Sequence, residues 1–108
     1  MAERDLERDP KTVPQNVRSE VVDRDHSCCR VCGRYVEHPA LHHIHYRSEG
    51  GPNTAENLVV VGWQPGHDCH LNVVHRSKRL WQPILELVVL HPGTTAFQWR
   101  RWMRENAK

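Results

Sequence analysis

Two sets of metal-donor side chains frame this chain: Cys29-Arg-Val-Cys32, followed by Gly33, and Cys69-His70, with the pair His42-His43 between them. Donors grouped in this way constrain a fold strongly, because a bound ion ties distant segments to one point. Size explains why such a tie is useful. At 108 residues, with 6% aromatic residues and a mean hydropathy of −0.72, the chain suits one domain with a modest apolar core, which gains from a structural metal. No run of 18 apolar residues occurs and the opening MAERDLERDP is charged, so neither a membrane span nor a secretory signal is expected and a cytoplasmic location is. In a reducing compartment Cys29-x-x-Cys32 reads as metal-binding or redox-active rather than as half of a disulfide framework, and metal is the reading taken here.

The net charge of +2 is unevenly placed. From Arg76 onward seven Lys or Arg face only Glu86 and Glu105, a net +5, which leaves −3 on residues 1–75. A basic tail suits a polyanionic partner, although a solvated helix face can carry the same charge. Residues 1–12 alternate acid and base and are expected to form a flexible leader. A helix is expected over residues 14–24, with Pro14 at its start and Val17, Val21 and Val22 on one face. Cys28, Cys29, Cys32 and Gly33 have the layout of a zinc-knuckle turn. Strands are expected over Ala40 to Tyr46 and Leu58 to Val61, separated by a glycine- and proline-broken loop. Asp68 is a candidate cap for a helix opening at Cys69. Two more helices are expected, one from Pro83 to Leu90 and one capped by Thr94 or Thr95. The stripe Phe97, Trp99, Trp102 and Met103 in the last is expected to pack against the helix before it, with Arg100, Arg101 and Arg104 facing outward as candidate DNA-phosphate contacts.

Cys29-Arg-Val-Cys32-Gly33, Leu41-His42-His43-Ile44, Gly50-Gly51, Asn57-Leu58-Val59 and Cys69-His70, in this order and spacing, resemble the HNH endonuclease family at several separate points. The resemblance implies an α+β fold: a small ββα-metal, treble-clef-like core over residues 13–76, preceded by a helix and followed by a basic helical extension over residues 77–108 packed on the core. It implies metal-dependent hydrolysis of DNA phosphodiester bonds. His43 would be the general base, since an imidazole titrates close to neutral pH. His42 and His70 would hold one divalent cation, Mg²⁺, Mn²⁺, Ni²⁺ or Zn²⁺, that stabilises the phosphate and the leaving oxygen. Because neighbours on a regular strand point to opposite faces, separate roles for His42 and His43 demand a twisted or bulged strand. Asn57 would orient the loop and His43, or serve as a metal ligand as in some relatives. His75 is a third-ligand candidate that only a distorted helix would bring in, since five residues turn an ideal α-helix about 140° away from His70. Arg47 is a candidate phosphate contact.

Relatives often carry a structural zinc on two Cys-x-x-Cys pairs, and here Gly62 stands where the third cysteine falls. Cys29, Cys32 and Cys69 remain, with His67 as a candidate fourth donor; the alternatives are Cys28 or no zinc at all. DNA is the partner implied, in a phage, mobile-element or restriction setting within a bacterial or phage-infected cell. His26, His38, His45 and His91 are given no role. Two rival readings stand beside the nuclease. One is a non-catalytic zinc module binding nucleic acid; the other, a redox protein using Cys29 and Cys32, lacks the βαβ context of such motifs.

Overall fold

The computed structural model describes residues 13–64 and 66–107. The leader expected over residues 1–12 lies outside the described residues. The architecture is α+β, with a two-stranded antiparallel sheet and several helices, as a small ββα-metal core requires.

Helix α1 (Gln15–Arg24) buries Val21 fully and packs Val17 and Val22 at the core's edge, with Pro14 in the cap position rather than inside the helix. Strand β1 (Ala40–His43) pairs with β2 (Leu58–Val61) in the register Ala40 to Val61, Leu41 to Val60, His42 to Val59 and His43 to Leu58. All four residues of β2 are fully buried, as expected of a β-branched run enclosed on both faces. β1 stops three residues short of the expected end at Tyr46. The reason is Asn57: its carbonyl accepts from Ile44 N at 2.8 Å, and its side-chain amide then takes over both the N–H and the C=O of His45.

After β2, Cys69 leads into a single π-helical turn (His70–Val74) rather than an α-helix. Helix α2 (Lys78–Leu90) begins five residues before Pro83, which therefore stands inside it. An interior proline forfeits one helical hydrogen bond. Here the burial of Trp81, Ile84, Leu85 and Val88, spaced i, i+3, i+4 and i+7, outweighs that loss. Helix α3 (Ala96–Asn106) starts with Thr95 in a reciprocal capping box with Gln98. Its aromatic stripe departs from the expected core position. Ala96 alone is fully buried and Trp99 packs partly on the core, whereas Phe97 is 43% and Trp102 54% exposed. Among the described residues, Phe97 meets Trp81 of α2 at 5.8 Å between ring centroids, and Trp99 lies against His91, the residue that caps α2, at 5.1 Å.

A buried ion pair ties these elements together. The Arg30 guanidinium meets the Asp25 carboxylate at the end of α1, and both side chains are nearly sealed from solvent. The other Asp25 oxygen accepts from Val60 N in β2 at 3.0 Å. Arg30 also donates Nη2 to Val88 O at 2.7 Å and Nε to Thr94 O at 3.1 Å, so it caps the end of α2 and holds the loop to α3. Removing one partner of such a pair leaves an uncompensated buried charge. Asp25→Ala is therefore expected to cost about 3–5 kcal/mol of stability, read from urea unfolding. A loss below about 1 kcal/mol would contradict this account.

Candidate functional site

The first donor cluster joins the knuckle to the segment that opens the π turn. Cys29 and Cys32 lie in a tight turn closed by Cys29 N to Arg34 O and Gly33 N to Cys29 O, both 2.7 Å. His67 and Cys69 approach from the loop after β2. The four donor atoms lie within 4.8 Å of one another, and Cys32 Sγ stands 3.1 Å from His67 Nε2. Cys29, Cys32, His67 and Cys69 could hold a metal ion, and three sulfurs with one imidazole suit zinc. Charge is already poised there: the Cys69 thiol and the backbone around Cys32, Gly62 and Val31 hold Cys29 down at about 4. Burial pushes Cys32 up, and sharing its proton with Cys29 pushes Cys69 up.

Gly62 explains how this set is completed without a cysteine at its position. A Cβ placed on Gly62 would lie 2.5 Å from His67 Nε2, so the imidazole occupies the room that a side chain at 62 would need. Cys28 is not in the cluster; its backbone instead bridges to Tyr35.

The second cluster is His42, His70 and His75, whose donor atoms also lie within 4.8 Å of one another. His42, on β1, is 4% exposed, and its ring meets those of His70 and His75 edge-on at 5.3 and 5.1 Å. The π turn brings in His75: His75 N donates to His70 O at 3.1 Å, an i to i+5 bond, and the two Nε2 atoms stand 3.0 Å apart. His70 Nδ1 is buried without a hydrogen-bond partner among the described residues. Burial, with the neighbouring His70, His75 and His43, pushes His42 down to about 3; burial and His75 lower His70, against a smaller opposing effect of Asp68. Both imidazoles are thus held neutral, the form that donates a lone pair to a cation.

These histidines open on a cleft of about 700 Å³, lined also by His43, Arg18, Tyr46 and Arg47. His43 is the last residue of β1, where the strand alternation ends, and it reaches the same cleft as His42. Its Nε2 lies 2.6 Å from Asn53 Oδ1. The side-chain amide beside the His43 ring is thus that of Asn53, and not that of Asn57. Asn57 is buried and spends its amide on backbone: Oδ1 accepts from His45 N at 2.8 Å, and Nδ2 donates to His45 O and Pro52 O at 3.0 Å. Gly51 passes so close to this clamp that a Cβ would overlap the His45 carbonyl. Arg47 is exposed on a 3-10 turn at the cleft's edge, and Arg18, which sequence reasoning missed, lines it from α1 while donating to Pro39 O at 2.6 Å. Arg100, Arg101 and Arg104 lie on α3 and do not line the cleft; Arg101 pairs with Glu105 at 3.2 Å. Asn53 and Arg18 carried only weak signals in the sequence, a polar residue in a turn and one arginine of a solvated helix.

Two outcomes follow. His67→Ala should lose zinc to a chromophoric chelator at least tenfold more readily, and adding Gly62→Cys to it should restore retention; unchanged retention in His67→Ala would exclude this ligand set. In the cation-free protein, the His42 ring protons should show no NMR titration step between pH 8 and 5, because a lowered value keeps the ring neutral through that window. A step near pH 6.5 would contradict the burial argument.

Among comparisons with known proteins, no curated protein and no solved structure matches the chain. The sequence model of the HNH endonuclease family matches residues 29–76. Both donor clusters, the two strands and the π turn thus lie within the segment that the HNH endonuclease model matches.

Proposed function

We propose that the chain is a metal-dependent endonuclease that hydrolyses DNA phosphodiester bonds in the cleft between β1, α1 and the π turn. The observation that carries this reading is the shared cleft itself: three clustered imidazoles, a fourth histidine beside them and two arginines face one space of about 700 Å³. Phosphodiester hydrolysis needs a base for the attacking water, compensation of phosphate charge and stabilisation of the departing oxygen. A divalent cation held by His42, His70 and His75 would supply the last two.

The chain's own residues do the rest. Arg47 and Arg18 donate hydrogen bonds to phosphate oxygens, where a guanidinium fork gives both charge and direction. His43 takes the water's proton. With Nε2–H donated to Asn53 Oδ1, its lone pair is left on Nδ1, so Asn53 selects the tautomer that can act as base. Asn57 is a positioning residue: its three backbone hydrogen bonds hold the loop that follows His43. Cys29, Cys32, His67 and Cys69 hold a structural zinc that keeps the knuckle against the start of the π turn. The arginines of α3 extend the electrostatic contact with DNA, Arg100 and Arg104 more than Arg101, whose charge is already paired.

The test is a plasmid-nicking assay with Mg²⁺, Mn²⁺, Ni²⁺, Zn²⁺ or no metal, run on the wild type and on His43→Ala. Wild type should nick only with metal, and the variant should lose about 10²–10⁴-fold, the span usual for a general base. Equal rates in the two proteins would mean that another group is the base. Absence of nicking with every metal, alongside retained DNA binding, would favour a non-catalytic nucleic-acid-binding module.

A further inference from the structure

Tyr46 touches the histidine cluster more intimately than a cleft wall needs to. It follows β1 by three residues and has extended backbone (φ −62°, ψ 146°), just before the chain turns into the 3-10 segment Arg47–Glu49. Its ring meets His42 edge-on at 5.7 Å and lies tilted over His75 at 5.1 Å. Its hydroxyl stands 3.1 Å from His75 Nδ1. The ring is held in turn by the Lys78 ammonium at the start of α2, 4.8 Å from the ring centroid, and Lys78 is ion-paired with Glu49. Cation and carboxylate thus clasp the tyrosine between the turn after β1 and the first turn of α2.

His75 is the member of the cluster most in need of such a partner. It is exposed and stands just past the end of a single π turn, whereas His42 is buried within the sheet. Nothing in its backbone decides which ring nitrogen turns inward. An imidazole that ligates through one nitrogen carries its proton on the other, and the acceptor of that proton fixes both tautomer and ring angle.

We propose that Tyr46 is a positioning residue for the cation site: its phenol oxygen accepts the Nδ1 proton of His75 and so holds His75 Nε2 toward His70 and His42. This rests on the imidazole cluster being a cation site, as the proposed function holds. Among the described residues, Tyr46 is the one whose hydroxyl reaches a cluster imidazole. The lysine clasp gives the site a second function for α2, since sliding the start of that helix would move the tyrosine and, through it, His75.

Removing the hydroxyl while keeping the ring separates this role from packing. The full chain, loaded with zinc at the cysteine site, is titrated with Ni²⁺ in a calorimeter, imidazole being a good ligand for that ion. Tyr46→Phe should weaken Ni²⁺ binding by about 10-fold or more, the effect typical of losing an outer-sphere partner, with its melting temperature close to wild type. In a His75→Ala background the same substitution should change Ni²⁺ affinity by less than twofold, because the imidazole through which it acts is gone. Long-range ¹H–¹⁵N spectra should place the His75 proton on Nδ1 in the wild type and show mixed tautomers in Tyr46→Phe. Unaltered Ni²⁺ affinity in Tyr46→Phe, or an equal loss in the His75→Ala background, overturns the assignment. If wild type takes up no Ni²⁺ beyond the zinc site, or if His42→Ala and His70→Ala bind it as wild type does, the cation site itself is wrong and the assignment falls with it. That failure shows in the wild type and the histidine variants, so it is distinct from a failure confined to Tyr46.

Discussion

Arg30 lies within the knuckle turn, between Cys29 and Cys32, and its guanidinium is buried against Asp25. Desolvating a guanidinium and a carboxylate is costly, and the cost is met only when the remaining hydrogen-bonding positions are satisfied as well. Here they are met by backbone and by a second arginine: Val60 N and the Arg24 guanidinium on the carboxylate, Val88 O and Thr94 O on the Arg30 guanidinium. Backbone bonds from Arg30 N to Val60 O and from Ala96 N to Arg30 O tighten the same point. One residue thus sets the distances between α1, β2, the end of α2 and the start of α3. The small apolar core needs this, since its largest fully buried side chains are isoleucine, leucine and valine.

The two donor clusters are mechanically linked because Cys69 and His70 are consecutive. Cys69 faces the knuckle and His70 faces the cleft, while His70 N donates to Gly62 O at 3.0 Å. The start of the π turn is therefore fixed twice. Its far end carries His75, and the widened turn is what lets residues five apart share a face. A π turn has poorer local energetics than an α-helix and tends to be kept where its geometry is used. Burial, with three imidazoles crowded together, has a similar character, lowering His42 and His70 so that both favour the neutral form that ligates.

Much of this was legible residue by residue. The β-branched run Leu58–Val61 gave a strand with the expected bounds, because four buried apolar residues between Asn57 and Gly62 have few other places to go. A threonine cap at Thr94 or Thr95 marked the start of α3, and the reciprocal bonds with Gln98 single out Thr95. Elsewhere local rules lost to packing. Pro83 signals a helix start, yet the buried face of α2 carries the helix through it. The aromatic stripe of α3 has the period of a core face, yet α2 is placed to meet only part of it. Asn57 reads in the sequence as an orienter of the loop and His43 or as a ligand, and only its distances show a clamp on His45 and Pro52.

By itself, the sequence determined the donor types, their order and the strands that present them, because hydrophobic period and side-chain chemistry are local properties. Tertiary structure decided which donors meet. Gly62 is only a missing cysteine in the sequence; in space it is the gap into which the His67 ring fits. His75 is out of phase with His70 on any ideal helix, and the i to i+5 bond of the π turn is what corrects the phase. Tyr46, Asn53, Arg18 and the Arg30–Asp25 pair share that origin. The first three act through partners 10 to 29 residues away, and the Arg30–Asp25 pair, though only five residues apart, is completed by Val60, Val88 and Thr94, which only close packing of the folded domain brings to it.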